Sequence, residues 1–164
     1  MTNTSIRQAV AEDYDSIVRL NDSEEDKTSP MNLEKLTTLA QLSCYLKVVT
    51  RDSDVAAFLL CMREGVAYQN DNYKWLSSRF KEFVYVDLIV VGAAFAGTGI
   101  GSMLYRDLFE FTRSEGVSRI TCEYNIEPPN LISRAFHQKF GFRECGTRWF
   151  ANHTRRVSYQ VAQV

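Results

Sequence analysis

Residues 83–102 read FVYVDLIVVGAAFAGTGIGS, and this stretch decides the fold. Its first nine residues are apolar except for Asp87, which is typical of a central strand covered on both faces of a sheet. Small residues fill the loop at 92–99, and an amphipathic helix is predicted from Gly99 to Ser114. Alternating glycines let a backbone approach a ligand closely, and the first turn of a helix adds free N–H groups at its positive end. The stretch therefore predicts a strand, a phosphate-binding loop and a helix in succession.

The segments on either side of this stretch predict a mixed α+β fold. Three strands precede the loop without a helix between each pair, which argues against a regular doubly wound sheet. A turn is predicted at 127–129, a helix capped by Asn130 and ended by Gly141, and a terminal hairpin over 142–162. The predicted order is β-α-α-β-β-β-α-β-α-β-β, seven strands with about four helices in a single domain over residues 1–164. Residues 73–80 are a further helical candidate.

The composition limits the class of protein. A net charge of −1 leaves no basic surplus for nucleic-acid phosphates, so no nucleic-acid partner is predicted. No apolar run approaches the roughly 18 residues needed to span a bilayer, and residues 1–7 lack an apolar signal core, so no membrane partner and a cytoplasmic location are predicted. The four cysteines are scattered and there are two histidines, which favours buried reduced thiols and no metal site.

Three kinds of ligand compete for the glycine loop. A P-loop requires a lysine after its last glycine, and this loop has none. The dinucleotide fingerprint, Gly-x-Gly-x-x-Gly, follows the first strand of its unit and needs an acidic residue about 20 positions later. Here the spacing is Gly-x-Gly-x-Gly, three strands come first, and Glu123 is the only support for that alternative. The third kind of ligand is the pyrophosphate of an acyl-CoA. The glycines alone are equally compatible with a tight turn that binds no ligand.

The loop and the residues that follow it resemble the GNAT superfamily of N-acetyltransferases. Residues 96–101, AGTGIG, follow a strand that ends at Val91 and are similar to the family's Arg/Gln-x-x-Gly-x-Gly/Ala. Residues 130–142, NLISRAFHQKFGF, are similar to its Asn-x-x-Ala segment and its aromatic-rich helix, which ends in Tyr-x-x-x-Gly-Phe. Residues 6–13 are similar to its first strand and helix, and 83–142 looks like a bacterial subgroup of predicted acetyltransferases. The resemblance spans nearly the whole chain and implies the GNAT fold, with a twisted, mostly antiparallel sheet.

This resemblance implies an N-acetyltransferase that carries the acetyl group of acetyl-CoA to a primary amine. The acceptor would attack directly in a ternary complex. A small amine or amino acid derivative is favoured over a protein, because the sequence contains no interaction tail or extra domain. Main-chain groups near Ile89 and Val91 would pair with pantetheine, and the N–H groups of 97–102 would take the pyrophosphate. Ala96 replaces the usual Arg or Gln, so weaker cofactor binding is expected. The implied cofactor-binding residues are Ile89, Val90, Val91, Ala96, Gly97, Thr98, Gly99, Ile100, Gly101, Ser102, Asn130 and Ser133.

Three side chains are candidates for the proton transfers. His137 stands at the position of the family's tyrosine, two helical turns after Asn130, and would protonate the departing thiolate. A surface or helix-packing histidine is the alternative. Asp87 is a lone carboxylate in an apolar strand, is predicted on the same side as Val91, and resembles the base of some members. Glu123, near the end of the next strand, is the second candidate base. A salt-bridged Asp87 and a solvated Glu123 are the structural alternatives.

Two other functions and several acceptor features stay open. A non-catalytic acyl-CoA-binding module would explain Ala96 and the missing tyrosine, and a dinucleotide-binding domain would use the same loop. The acidic run 22–26 borders the acceptor site in the family and would favour a cationic amine, with a solvated loop as the alternative. Tyr68, Tyr73 and Trp75 are candidates either for an acceptor pocket or for the core. A homodimer is compatible with the sequence.

Overall fold

A computed structural model describes residues 2–24, 28 and 30–164. The strands are β1 (Thr4–Gln8), β2 (Tyr45–Arg51), β3 (Asp54–Arg63), β4 (Val84–Val91), β5 (Arg119–Glu127), β6 (Arg143–Phe150) and β7 (Arg155–Gln163). The α-helices of the described residues are α1 (Tyr14–Ser23), α2 (Leu33–Leu42), α3 (Asp71–Ser77), α4 (Ile100–Ser114) and α5 (Leu131–Lys139). The predicted mixed α+β fold is confirmed. Helix α3, in the region of the candidate at 73–80, brings the number of helices to five.

All seven strands form one sheet in the order β1-β2-β3-β4-β5-β7-β6. Its neighbours are antiparallel except for β4 and β5, which run parallel. These two strands pair only at Val84↔Ile120 and Tyr85↔Thr121, although β4 continues to Val91 and β5 to Glu127. The sheet is therefore split between the two strands beyond this short contact. The opening of β4 away from its neighbour, which the resemblance implied, is present.

Two apolar cores cover the two faces of the sheet. The first core contains Leu104, Tyr105 and Leu108 of α4, together with Val84 and Val86 of β4. The second core lies under α1, α2 and α3 and is built from buried side chains of these helices, of the strands and of the residue before β4, including Ile17, Leu36, Leu76, Phe83 and Tyr85. Strands β3 and β4 contribute to both cores. Their nearly unbroken apolar sequence follows from this burial on both faces.

Strand β4 carries one extra residue relative to its neighbour β3. Their pairing passes from Cys61↔Val86 directly to Leu60↔Leu88, which leaves Asp87 without an opposite residue. This arrangement is a β-bulge, and such bulges are common next to active sites, where they re-aim a side chain.

The bulge makes one prediction about Asp87 wrong. Simple alternation along a strand placed Asp87 on the same side as Val91. In the structure Val91 packs against the first core, whereas the Asp87 carboxylate reaches Tyr68, which packs against the second core. Side chains normally point to the two faces of the sheet in turn. The extra residue shifts this alternation by one position, so a spacing of four residues across the bulge no longer places two side chains on the same face.

Candidate active site

The glycine loop joins β4 to α4 through a short 3-10 turn at Ala93–Phe95. Gly97 and Gly99 have φ angles of +73° and +84°, which a residue with a Cβ atom adopts only with strain. Gly99 is the residue immediately before α4, and its carbonyl accepts a hydrogen bond from the Met103 N–H at 3.0 Å. The glycines are therefore required by the backbone conformation that starts the helix.

The N–H groups from Gly97 to Ser102 point to no acceptor within the described residues. Helix α4 adds the positive end of its dipole at the same place, and such a site binds phosphate groups. Residues 96–99 are exposed, while Ile100 is buried in the first core and anchors the turn. The predicted phosphate-binding residues are thus brought together in one open, anion-accepting turn. Their contact with a cofactor stays a prediction.

The other predicted cofactor residues lie on both sides of the split in the sheet. Residues 89–91 pair with β3 and have no strand partner on the side of β5. Asn130 caps α5, because its Oδ1 accepts a hydrogen bond from the Ser133 N–H at 3.1 Å, as the sequence predicted. The split is therefore bordered by an unpaired strand edge, which has main-chain groups available for an extended ligand.

Asp87 and Glu123 lie on the two strands that diverge. The Tyr85 hydroxyl donates to Glu123 Oε1 at 2.7 Å, and Asn72 Nδ2 donates to the same oxygen at 2.9 Å. The Tyr68 hydroxyl donates to Asp87 Oδ1 at 2.8 Å. Neither carboxylate forms an ion pair within the described part of the chain. Hydroxyl and amide groups therefore stand where the structural alternative placed a salt-bridge partner for Asp87, and they also hold the half-buried Glu123.

The environment of these two carboxylates favours their protonated forms. Burial raises the pKa of Glu123 to about 8, and the nearby negative charge of Asp87 contributes to this rise. Burial also raises the pKa of Asp87, to about 6, against the opposing effects of the Tyr68 hydrogen bond and the Lys35 charge. A general base works best when its pKa lies near the working pH. The pair thus has the acidity expected of groups that exchange protons with a substrate.

Only one of the three candidate aromatic residues contacts a carboxylate. Tyr68 does so, as described above. Tyr73 is buried and donates its hydroxyl to the Arg63 carbonyl at 2.7 Å. Trp75 stacks on Tyr159 with ring centroids 3.9 Å apart. Tyr73 and Trp75 therefore pack in the second core, in agreement with the alternative that these aromatic residues belong to the core.

The sequence did not single out the residues that hold Glu123. Tyr85 is fully buried beneath it, and the Tyr159 hydroxyl donates to Asn72 Oδ1 at 2.8 Å, which orients the Asn72 amide toward Glu123. Asn72 is 51 residues from Glu123 along the chain. One signal in the sequence could have indicated these residues. Tyrosine hydroxyls that lie in apolar segments require hydrogen-bond partners when they are buried, and a buried carboxylate is such a partner.

His137 lies in the interior, with 4% of its surface exposed. Its Nδ1 is 2.7 Å from the Ser133 carbonyl oxygen, which only accepts, so Nδ1 carries the proton. Nε2 then accepts from the Tyr105 hydroxyl at 2.6 Å. Burial lowers the pKa of His137, which keeps the ring neutral. Both ring nitrogens are thus engaged within the protein, which favours the packing alternative, and the catalytic role stays a prediction.

We expect His137→Ala to destabilise the fold by about 2–4 kcal/mol, because it creates a cavity and leaves the buried Tyr105 hydroxyl unpaired. Urea unfolding measures this loss. His153→Ala, which removes an exposed imidazole, is the control and should keep the wild-type stability. A His137→Ala protein of unchanged stability whose turnover loses one limb of its pH profile would instead establish the imidazole as the proton donor.

The region between α1 and α2 forms a groove on the side of the carboxylates. Lys35 belongs to its lining, and the Lys35 charge lowers the pKa of Asp87. The acidic run 22–26 begins here; Asp22 lines the groove, while Glu25 and Asp26 lie outside the described residues. The groove is lined by Val18, Asp22, Pro30, Met31, Asn32, Leu33 and Lys35. The groove is therefore near enough to Asp87 for a charge in its lining to act on that carboxylate.

Two kinds of feature are absent from the described residues. None of their helices combines the length and the apolar character needed to cross a membrane. No cluster of three or more His, Cys, Asp or Glu side chains among them is arranged to hold a metal ion.

The split sheet and the glycine turn at the start of α4 are the features of a GNAT-type acetyltransferase. The chain belongs to the acetyltransferase (GNAT) family, whose model matches residues 6–142.

Individual relatives extend this assignment. The chain is 39% identical over 59 residues to a phosphinothricin N-acetyltransferase of Streptomyces coelicolor, a match that covers 36% of this chain and 33% of that protein. This match thus spans about a third of that relative's length. Among solved structures, Ard1 from Thermoplasma volcanium superposes with a TM-score of 0.77 at 16% identity, covering 98% of this chain and 97% of Ard1. A chain of the NatC complex bound to Gag peptide and CoA gives a TM-score of 0.76 at 12% identity and 99% coverage of both chains. These two likenesses confirm the fold.

Proposed function

We propose that this protein is an acetyl-CoA-dependent N-acetyltransferase that acts on the primary amine of a small molecule. The observation that carries the proposal is the combination, along one split in the sheet, of an anion-accepting glycine turn and two carboxylates of raised pKa. Family membership supports acetyl-CoA as the co-substrate, and the partial match to a phosphinothricin N-acetyltransferase supports a small amine. A non-catalytic CoA-binding module would have no use for the carboxylates, and the family match argues against a dinucleotide-binding domain.

Two segments of the chain would hold acetyl-CoA for this reaction. Acetyl-CoA, when bound, supplies the activated acetyl group. The N–H groups of residues 97–102 would hold its pyrophosphate, and the free edge of residues 89–91 would hold its pantetheine arm and polarise the thioester carbonyl. Both contacts fix the acetyl group for an in-line attack, which converts a bimolecular encounter into a positioned one.

Glu123 is the base in this scheme. An amine acceptor is largely protonated at neutral pH and must lose a proton before it attacks. Glu123 would take that proton directly or through one water molecule. Asp87, on the facing strand, would attract the ammonium group. His137 remains the predicted acid for the departing thiolate; in that role its Nε2 would first have to be protonated and released from the Tyr105 hydroxyl. The His137→Ala experiment above tests that role.

Thiol release from acetyl-CoA, followed over a panel of small primary amines, tests the proposed function. Steady release that depends on both acetyl-CoA and one class of amine supports it. Tight CoA binding by calorimetry without turnover on any amine would favour the binding module. A thermal shift with NAD and none with acetyl-CoA would favour the dinucleotide-binding domain.

A further inference from the structure

A lysine from α5 is held against the first turn of α4. Lys139, the last residue of α5, donates from Nζ to Ser102 Oγ at 2.8 Å. Ser102 is the third residue of α4 and is 6% exposed. The hydrogen bond therefore fixes a positive charge beside the anion-accepting turn.

Lys139 is exposed, and its Nζ also lies 5.6 Å from the centroid of the Phe140 ring. Its charge is added to the positive end of the α4 dipole, which carries about half an elementary charge. No carboxylate pairs with Lys139 within residues 2–24, 28 and 30–164. The free N–H groups of residues 97–102 point to the same turn. A phosphate bound at this turn would therefore meet the Lys139 ammonium as well as the N–H groups.

The glycine loop itself brings no cation to its ligand. Residues 92–102 contain no lysine or arginine, and Ala96 stands where related loops carry Arg or Gln. We propose that Lys139 supplies the missing positive charge from α5 and positions the phosphate groups of acetyl-CoA over the α4 terminus. This inference rests on the proposed function, because it assigns a positioning residue to the same co-substrate.

Calorimetric titration of the full chain with CoA tests this role. We expect Lys139→Met to raise the Kd for CoA about tenfold, as removal of one charge-assisted hydrogen bond does, and Lys139→Arg to restore most of the affinity. The KM for acetyl-CoA should rise in parallel while kcat at saturating acetyl-CoA stays at the wild-type value. The loss should shrink at high salt, because ions screen the interaction.

Shorter ligands identify the group that is contacted. Pantetheine, which has no phosphate, should bind the variant and the wild type equally. A tenfold loss with dephospho-CoA as well as CoA would assign the pyrophosphate, and a loss with CoA alone would assign the 3′-phosphate. Lys74→Met, at an exposed position of α3, is the matched control and should leave the Kd unchanged. Thermal unfolding of each variant verifies that it is folded.

Two results separate the possible failures. If wild-type protein binds CoA and Lys139→Met binds it equally well, the role of Lys139 is overturned while the proposed function stands. An equal loss of affinity for CoA and pantetheine also overturns it, because a phosphate contact cannot affect pantetheine. If the wild type does not bind CoA, the proposed function itself fails.

Discussion

Glu123→Gln should lower kcat by about 10²- to 10⁴-fold, which is the usual contribution of a general base. The amide can still accept a hydrogen bond from Tyr85 but cannot take a proton from the acceptor. Affinity for CoA should be unchanged, because Glu123 lies away from the glycine turn on another strand. A turnover assay measures kcat, and calorimetric titration of the same preparation with CoA measures the affinity. Wild-type turnover in the Glu123→Gln protein would remove this carboxylate from the mechanism.

The pH dependence gives a second measure of the same role. Glu123 acts when it is deprotonated, so kcat/KM of the wild type should rise with pH through about 8, the raised pKa of this group. Glu123→Gln should lose this limb. Asp87→Asn removes a negative charge that raises the Glu123 pKa, so the limb should move to lower pH. A profile of Asp87→Asn that superimposes on that of the wild type would contradict the coupling.

Stability should change in the opposite direction to activity. A carboxyl group whose pKa is raised in the folded state destabilises the fold as pH rises from about 4.3, the usual value, through about 8. Glu123→Gln removes this penalty. Its Tm should therefore exceed that of the wild type at pH 8.5 and differ less at pH 5.

The second large effect is expected at the glycine turn. Gly99→Ala should raise the Kd for acetyl-CoA by about 10- to 100-fold, because a residue with a Cβ atom at φ +84° costs about 1–3 kcal/mol and the turn would relax to avoid it. The relaxed backbone would no longer direct its N–H groups to one point. Titration with acetyl-CoA measures the loss.

A glycine beyond the far end of α4 provides the control. Gly116 has a φ of +72° but follows the opposite end of α4, so Gly116→Ala should lose stability and keep affinity. Equal loss of affinity in Gly99→Ala and Gly116→Ala would show a general destabilisation instead.

Local signals in the sequence predicted much of the fold. The glycine at 99 and the asparagine at 130 each marked a helix start to within one residue. The unbroken apolar pattern of β4 predicted its central place, and the split beside it followed from the resemblance. Such features depend on residues that are neighbours in sequence, and their physical causes are therefore visible there.

The site was predicted less completely because its geometry depends on distant contacts. The sequence predicted Asp87 and Glu123 as site residues. It gave the wrong face of the sheet for Asp87, because the bulge that decides this face is defined only by the pairing of β4 with β3. The partners of Glu123 come from β4 and α3, and Asn72 is in turn held from β7. The burial of His137 depends on α4. No single-sequence pattern records which of these elements meet.

The bulge at Asp87 also limits how this protein can vary. Substitution in residues 88–91 alters one side chain at a time. Adding or deleting a single residue at the start of this segment would turn each of its side chains to the opposite face of the sheet. Leu88 and Val90 would then point toward α4, and Ile89 and Val91 toward α1 and α2. Related proteins should consequently exchange apolar residues of similar size in this segment while conserving its length, and a gap placed within it would mark an error of alignment.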